Sequence, residues 1–128
     1  MKTNTLIITL GLAGLLAACS MAETRPMAPA MQSGGMLTGS NGMTLYVFDK
    51  DTAGSGKSVC NGPCATNWPP LFVADGAMAH GDYSIVQRDD GKQQWAYKGK
   101  PLYFWIKDQK AGDITGDGFN NVWHVAKP

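Results

Sequence analysis

The chain has 128 residues and nearly balanced charge, with 11 Lys+Arg against 10 Asp+Glu. That length supports one small domain with a modest core. No basic surplus is available to neutralise phosphates, so nucleic acid is not expected as a partner.

Lys2 precedes an apolar run from Leu6 to Ala18, which closes as Leu16-Ala17-Ala18-Cys19. A basic start, a short apolar core and small residues before a cut are the parts of a secretory signal peptide. The run is shorter than the about 20 residues that a membrane-spanning helix needs. A cysteine directly after Leu-Ala-Ala resembles the lipobox of bacterial lipoproteins. The resemblance implies a signal peptide over residues 1–18, lipidation of the Cys19 thiol, and membrane attachment through that lipid. Ser20 stands where an aspartate tends to retain such proteins in the inner membrane of Gram-negative bacteria, so it favours the outer membrane. Loss of residues 1–18 leaves ten charges of each sign.

Residues 19–35 are rich in small residues, carry Pro26 and Pro29, and end in Gly34-Gly35. Such a segment buries too little surface to order its backbone and is expected to be a flexible tether. Met21, Met27, Met31, Met36 and Met43 lie in or near it. Thioethers suit Cu(I), but the spacings are irregular and no histidine is close. The methionines are read as linker and strand residues.

The domain is expected over 36–128, as a first repeat at about 36–75 and a second at about 83–128. Met36 to Thr38, a turn at Gly39 to Gly42, and Met43 to Phe48 read as strand, turn, strand, with Asn41-Gly42 as the hairpin signal. Tyr83 to Arg88 alternates apolar and polar residues as a strand. Asp89-Asp90-Gly91 turns the chain, and Gln93 to Tyr97 returns. Lys98-Gly99-Lys100 makes a further turn, Pro101 to Ile106 is extended, and Val122 to Ala126 is the last strand. One helical turn is expected around Cys64 to Asn67. Sixteen glycines and seven prolines fit many turns between short strands. The class is mainly β.

Cys60 and Cys64 remain as an even pair once Cys19 is set aside. In an exported chain they are expected to form a structural disulfide. A redox pair or soft-metal site is disfavoured. Ala65 follows Cys64, so the haem-attachment pattern is absent, and no histidine or methionine lies within ten residues.

The chain also repeats itself. Gly42-Met43-Thr44-Leu45-Tyr46-Val47-Phe48-Asp49-Lys50-Asp51 matches the stretch from Gly99 to Asp108 at a constant offset of 57 residues. Each unit later reaches a tryptophan, Trp68 and Trp123. Two copies that need each other to bury a core predict a pseudo-twofold pair of β-meanders or hairpins, packed as a small sandwich or barrel-like domain. Tyr46 and Phe48 share one strand face, as do Tyr103 and Trp105. Asp51 and Asp108 fall just past each strand end, where a carboxylate can hold a turn. Two aromatic core ladders with capping acids are favoured over an aromatic ligand platform with two acids at its rim.

These features together resemble a known family. They are the repeated Tyr-x-aromatic-x-x-Asp, the Ser58 to Ala65 stretch, Trp68-Pro69-Pro70-Leu71, and the closing Gly116-Asp117-Gly118 to Trp123-His124-Val125. The chain is similar over residues 36–128 to predicted bacterial lipoproteins called the secreted repeat of unknown function. The resemblance implies export, lipid anchoring and tandem repeats. It supplies no activity and no catalytic residue.

The loop from Asp108 to Asn121 offers oxygen ligands that suit Ca²⁺, but its spacing departs from the EF-hand pattern. A turn held by side-chain to backbone bonds is favoured. His80 and His124 are the two histidines, and both read as structural or solvated. No G-x-S-x-G, H-E-x-x-H or phosphate loop is present. The expectation is a lipid-anchored envelope protein that is not an enzyme and needs no cofactor. Its role is that of a binding or structural module, whose partner is an envelope protein or a small ligand. A copper- or calcium-binding or redox accessory protein is the alternative.

Overall fold

The computed structural model describes residues 28–128, together with the isolated positions Thr3 and Gly11. Cys19, most of the expected signal peptide over 1–18 and residues 20–27 of the expected tether lie outside the described residues.

The strands are β1 Met31–Ser33, β2 Met36–Thr38, β3 Tyr46–Phe48, β4 Tyr83–Gln87, β5 Gln93–Tyr97, β6 Lys100–Pro101 and β7 Trp123–Val125. One short helix, α1, spans Pro63–Asn67, and a single 3₁₀ turn covers Phe119–Asn121. The strands form three antiparallel sheets, ordered β1-β2, β3-β7 and β4-β5-β6. These sheets are not closed into a barrel. The class is mainly β with two tandem units. The 3₁₀ turn is an addition to the single helical turn read from the sequence. Asn120 and Asn121 there have positive φ, a conformation that asparagine tolerates better than most residues.

Ordered structure starts earlier than residue 36. Gly34-Gly35 joins β1 to β2 as a hairpin turn, with Met31 opposite Thr38 and Ser33 opposite Met36. Ala30 is buried against Leu37, Leu45, Leu102 and Ala126. The tether composition hid this because β1 itself is wholly exposed. Its order comes from β2 and from the burial of one small residue.

The two repeats meet at their tyrosines. The Tyr46 N–H donates to the Tyr103 carbonyl at 2.7 Å, and the Tyr103 N–H donates to the Tyr46 carbonyl at 3.0 Å. Around this pair the backbone bonds come in matched sets. Ala126 N–H to Leu45 O has its counterpart in Leu71 N–H to Leu102 O. Leu37 N–H to Ala126 O has its counterpart in Trp95 N–H to Leu71 O. The arrangement is a local pseudo-twofold through the Tyr46–Tyr103 bridge. Each unit is completed by the other, since β3 of the first repeat pairs with β7 of the second.

The aromatic core follows the same rule. Phe48 stacks on Trp123 at 4.2 Å, Trp123 on Trp68 at 3.8 Å, and Trp68 on Trp105 at 4.0 Å. The four rings alternate between first and second repeat. Tyr46 meets Trp68 edge-on, and Tyr103 meets Trp123 edge-on. Such pairs contribute about 0.5–1.5 kcal/mol each beyond their burial. Gly116 is the backbone position that lets the stack close: a Cβ there would lie 2.6 Å from the Trp68 ring.

A chain ending at residue 82 loses β7, Trp105 and Trp123, and with them two of the four stacked rings. It is expected to show no cooperative thermal transition and no near-ultraviolet tryptophan dichroism. A sharp transition in that fragment would contradict this architecture.

Candidate functional site

The motif residues Tyr46, Asp51, Tyr103 and Asp108 come together across the pseudo-twofold, and they do so by exchange. The Tyr46 hydroxyl donates to Asp108 Oδ2 at 2.6 Å. The Tyr103 hydroxyl donates to Asp51 Oδ2 at 2.5 Å. Each tyrosine is therefore served by the aspartate of the other repeat, and neither is served by the aspartate five residues ahead of it. Both phenol rings are fully buried, where an unpaired hydroxyl would be costly.

The second oxygen of each aspartate holds a loop. Asp51 Oδ1 accepts the Val59 N–H at 2.8 Å. Asp108 Oδ1 accepts the Thr115 N–H at 3.0 Å and the Thr115 hydroxyl at 2.6 Å. Ser58 and Thr115 are again 57 residues apart, yet they serve different partners. The Ser58 hydroxyl lies 2.6 Å from the Tyr103 hydroxyl. Tyr103 spends its proton on Asp51, so Ser58 is the donor to Tyr103. Ser58 Oγ in turn accepts from Arg88 Nη1 at 3.0 Å and from the Cys60 N–H at 3.2 Å.

Arg88, the end of a strand in the sequence pattern, is a hub of this network. It is buried, 3% exposed. Nη1 also donates to Gln94 Oε1 at 2.8 Å, and Nη2 donates to the Cys60 carbonyl at 2.5 Å. Nε lies 3.7 Å from Asp90 Oδ2 and makes no hydrogen bond. Strand phase carries the missing signal. Val86 and Arg88 are two apart and so face the same side, and Val86 is buried. The Cys60–Cys64 disulfide, with Cα atoms 5.2 Å apart, holds the Cys60 carbonyl against Arg88. Pro63 at the start of α1 and the disulfide together set the chain on its path to Trp68.

Burial raises the pKa of both phenols, and the hydrogen bond to the partner carboxylate adds to it, Asp108 for Tyr46 and Asp51 for Tyr103. Burial also raises Asp51. Its hydrogen bonds from Tyr103 and Val59, and the Arg88 charge, act against that. At neutral pH the phenols are protonated donors with no free lone-pair chemistry to offer. The network joins two halves of a domain.

Phe48 and Trp105 cap the two ends of the ring stack, so the aromatic pairs face each other rather than forming an open platform. In the polar loop after Asp108, Asp113 Oδ2 accepts the N–H groups of Gln109 and Lys110, and Asp117 Oδ1 accepts the Val125 N–H. His124 Nε2 lies 2.7 Å from Asp49 Oδ2. His80 Nδ1 lies 3.0 Å from the Met78 carbonyl. Among the described residues no group of three or more His, Cys, Asp or Glu is placed to hold a metal ion.

A family model described as a secreted repeat of unknown function matches residues 30–72 and again residues 84–127. The chain belongs to the secreted repeat family. Each match contains one copy of the exchanging pair, Tyr46 with Asp51 and Tyr103 with Asp108. The first match opens at Ala30, the buried residue that precedes β1. No curated protein and no solved structure matches the chain. The recurring motif of the secreted repeat thus has a physical meaning here, as the paired halves of one buried junction.

The raised phenol pKa values have a sign that can be measured. An ordinary tyrosine ionises at about pH 10. In the folded chain Tyr46 and Tyr103 keep their protons above that value, and in the unfolded chain they do not. Unfolding then releases protons, so their contribution to stability is complete below about pH 10 and declines as pH rises further. Ring-labelled tyrosine resonances at pH 11 should show both phenols protonated in the folded protein, with a lower melting temperature than at pH 9. Ionised Tyr46 and Tyr103 in a folded protein at pH 11 would contradict the assignment.

Proposed function

We propose that this protein is a lipid-anchored domain of the cell envelope, held at the outer membrane through Cys19, with a non-enzymatic binding or structural role. The observation that carries this reading is the closure of the motif on itself. The residues that define the repeat, Tyr46, Asp51, Tyr103 and Asp108, serve as donors and acceptors for one another and for nearby backbone. A signature spent on the junction between repeats suits a compact display domain and leaves contact with partners to the outer surface.

Export is supported by the family description as secreted and by the Lys2 to Cys19 pattern. Among the described residues no helix is long and apolar enough to cross a membrane, which suits attachment by lipid. The Cys60–Cys64 disulfide suits an oxidising compartment. Envelope proteins and small ligands are the partner classes in keeping with this reading.

Cell fractionation tests the anchor. The wild-type protein should sediment with membranes, require detergent for release, and start at a lipid-bearing Cys19. Cys19→Ala should leave the membrane fraction or retain its leader. A Cys19→Ala protein that stays in membranes with unchanged processing would overturn the proposal.

A further inference from the structure

The second repeat carries a feature that the junction does not use. A cavity of about 270 Å³ lies between the tip of the β5–β6 hairpin and the β3–β7 sheet. Val47 and Tyr97 supply its partly exposed apolar side chains, the buried Val125 and Ala126 line it as well, and Lys98, Lys100 and Lys127 stand at it from the two sides. The three lysines are exposed. Among the described residues Asp90 lies against Arg88 and Asp49 against His124, and none of these lysines is within ion-pair distance of a carboxylate. Asp49 and Asp51 lie in the adjoining small cavity, which Lys100 also lines.

The tip is held in place. Tyr97 pairs with Lys100 across the hairpin, which leaves Lys98-Gly99 as a two-residue turn. Both have positive φ, 48° and 81°, as a type I′ turn requires. Gly99 has no room for a side chain, because a Cβ would lie 2.6 Å from the Gly54 nitrogen. Gly54 N–H also donates to the Gly99 carbonyl at 2.9 Å. The Lys98 ammonium lies 5.3 Å from the centre of the Tyr97 ring, a cation–π contact that directs it.

The fold does not demand these lysines. Positive φ favours Gly, Asn or Asp over lysine, so Lys98 is a strained choice. The matching positions in the first repeat, 57 residues earlier, are Asn41 and Met43 where the second has Lys98 and Lys100. The repeats agree in their core and differ at this rim. Local strain retained at a cavity edge marks a site whose side chain is needed there.

We propose that this cavity binds an oxyanion carried on an apolar body, a phosphate or carboxylate whose attached group lies on the Val47 and Tyr97 side chains. Three ammonium groups supply charge complementarity, and the pre-set turn limits the ordering cost of binding. The apolar wall distinguishes such a ligand from a bare anion. A membrane phospholipid and a soluble phosphate ester share this chemistry.

The test uses the full chain in phosphatidylcholine nanodiscs, observed through valine methyl resonances. Phenyl phosphate should shift Val47 saturably and bind at least about tenfold tighter than inorganic phosphate. Lys98→Asn and Lys127→Gln should each weaken it about tenfold. Lys98→Asn should do so while raising the melting temperature, since asparagine suits the turn. Discs containing phosphatidylglycerol that reproduce the shifts and compete with phenyl phosphate identify lipid as the source, and discs without that effect identify a soluble ester. Unshifted methyls, inorganic phosphate binding as tightly as phenyl phosphate, or unchanged affinity in both lysine variants would overturn the proposal.

Discussion

Two hydrogen bonds organise this domain, from the Tyr46 hydroxyl to Asp108 and from the Tyr103 hydroxyl to Asp51. A buried phenol must find an acceptor, and a buried carboxylate must find donors. Each repeat carries one phenol and one carboxylate, and each phenol finds its acceptor only in the other repeat. The backbone bridge between Tyr46 and Tyr103 brings the strands together, and the side chains then cross. The Phe48–Trp123–Trp68–Trp105 stack alternates between repeats in the same way. Separation of the halves would expose both the rings and the polar pairs at once. Cooperative folding of the tandem unit follows from that coupling.

The symmetry is confined to the core. On the Asp51 side, Ser58, Arg88, Gln94 and the disulfide extend the network, and burial of a guanidinium is offset by the carbonyl and side-chain acceptors around it. On the Asp108 side Thr115 alone supplies the side-chain partner. A buried charge of this kind stabilises only while its acceptors stay in place. The Cys60–Cys64 bridge, which closes a short loop and contributes about 2 kcal/mol through chain entropy, also fixes one of those acceptors. Its removal would therefore be felt at Arg88 as well as locally.

Much of the fold was legible because its signals are local. The strand from Tyr83, the turn at Asp89-Asp90-Gly91, the returning strand to Tyr97 and the helical turn after Pro63 are written in neighbouring residues, and the 57-residue offset shows on laying the chain against itself. The exchange of partners was not. Asp51 lies five positions from Tyr46, and nothing in that spacing says that the tyrosine instead reaches across to Asp108, 62 positions away. β1 was hidden for a related reason, since an exposed strand beside Gly34-Gly35 looks like linker until Ala126 is known to cover Ala30. Arg88 was hidden because its acceptors, the Cys60 carbonyl and Ser58, come from a loop about 30 residues away. The segment that says most about location, through Cys19, lies outside the described residues.

Partner exchange is the central claim, and a pair of double-mutant cycles tests it directly. Thermal or denaturant unfolding would be measured for Tyr46→Phe combined with Asp108→Asn, and for Tyr46→Phe combined with Asp51→Asn. Exchange predicts a coupling energy of about 1–3 kcal/mol for Tyr46 with Asp108, the range for a buried hydrogen bond to a charged group. It predicts coupling within about 0.5 kcal/mol of zero for Tyr46 with Asp51, which share no bond. Strong coupling of Tyr46 to Asp51 and none to Asp108 would contradict it.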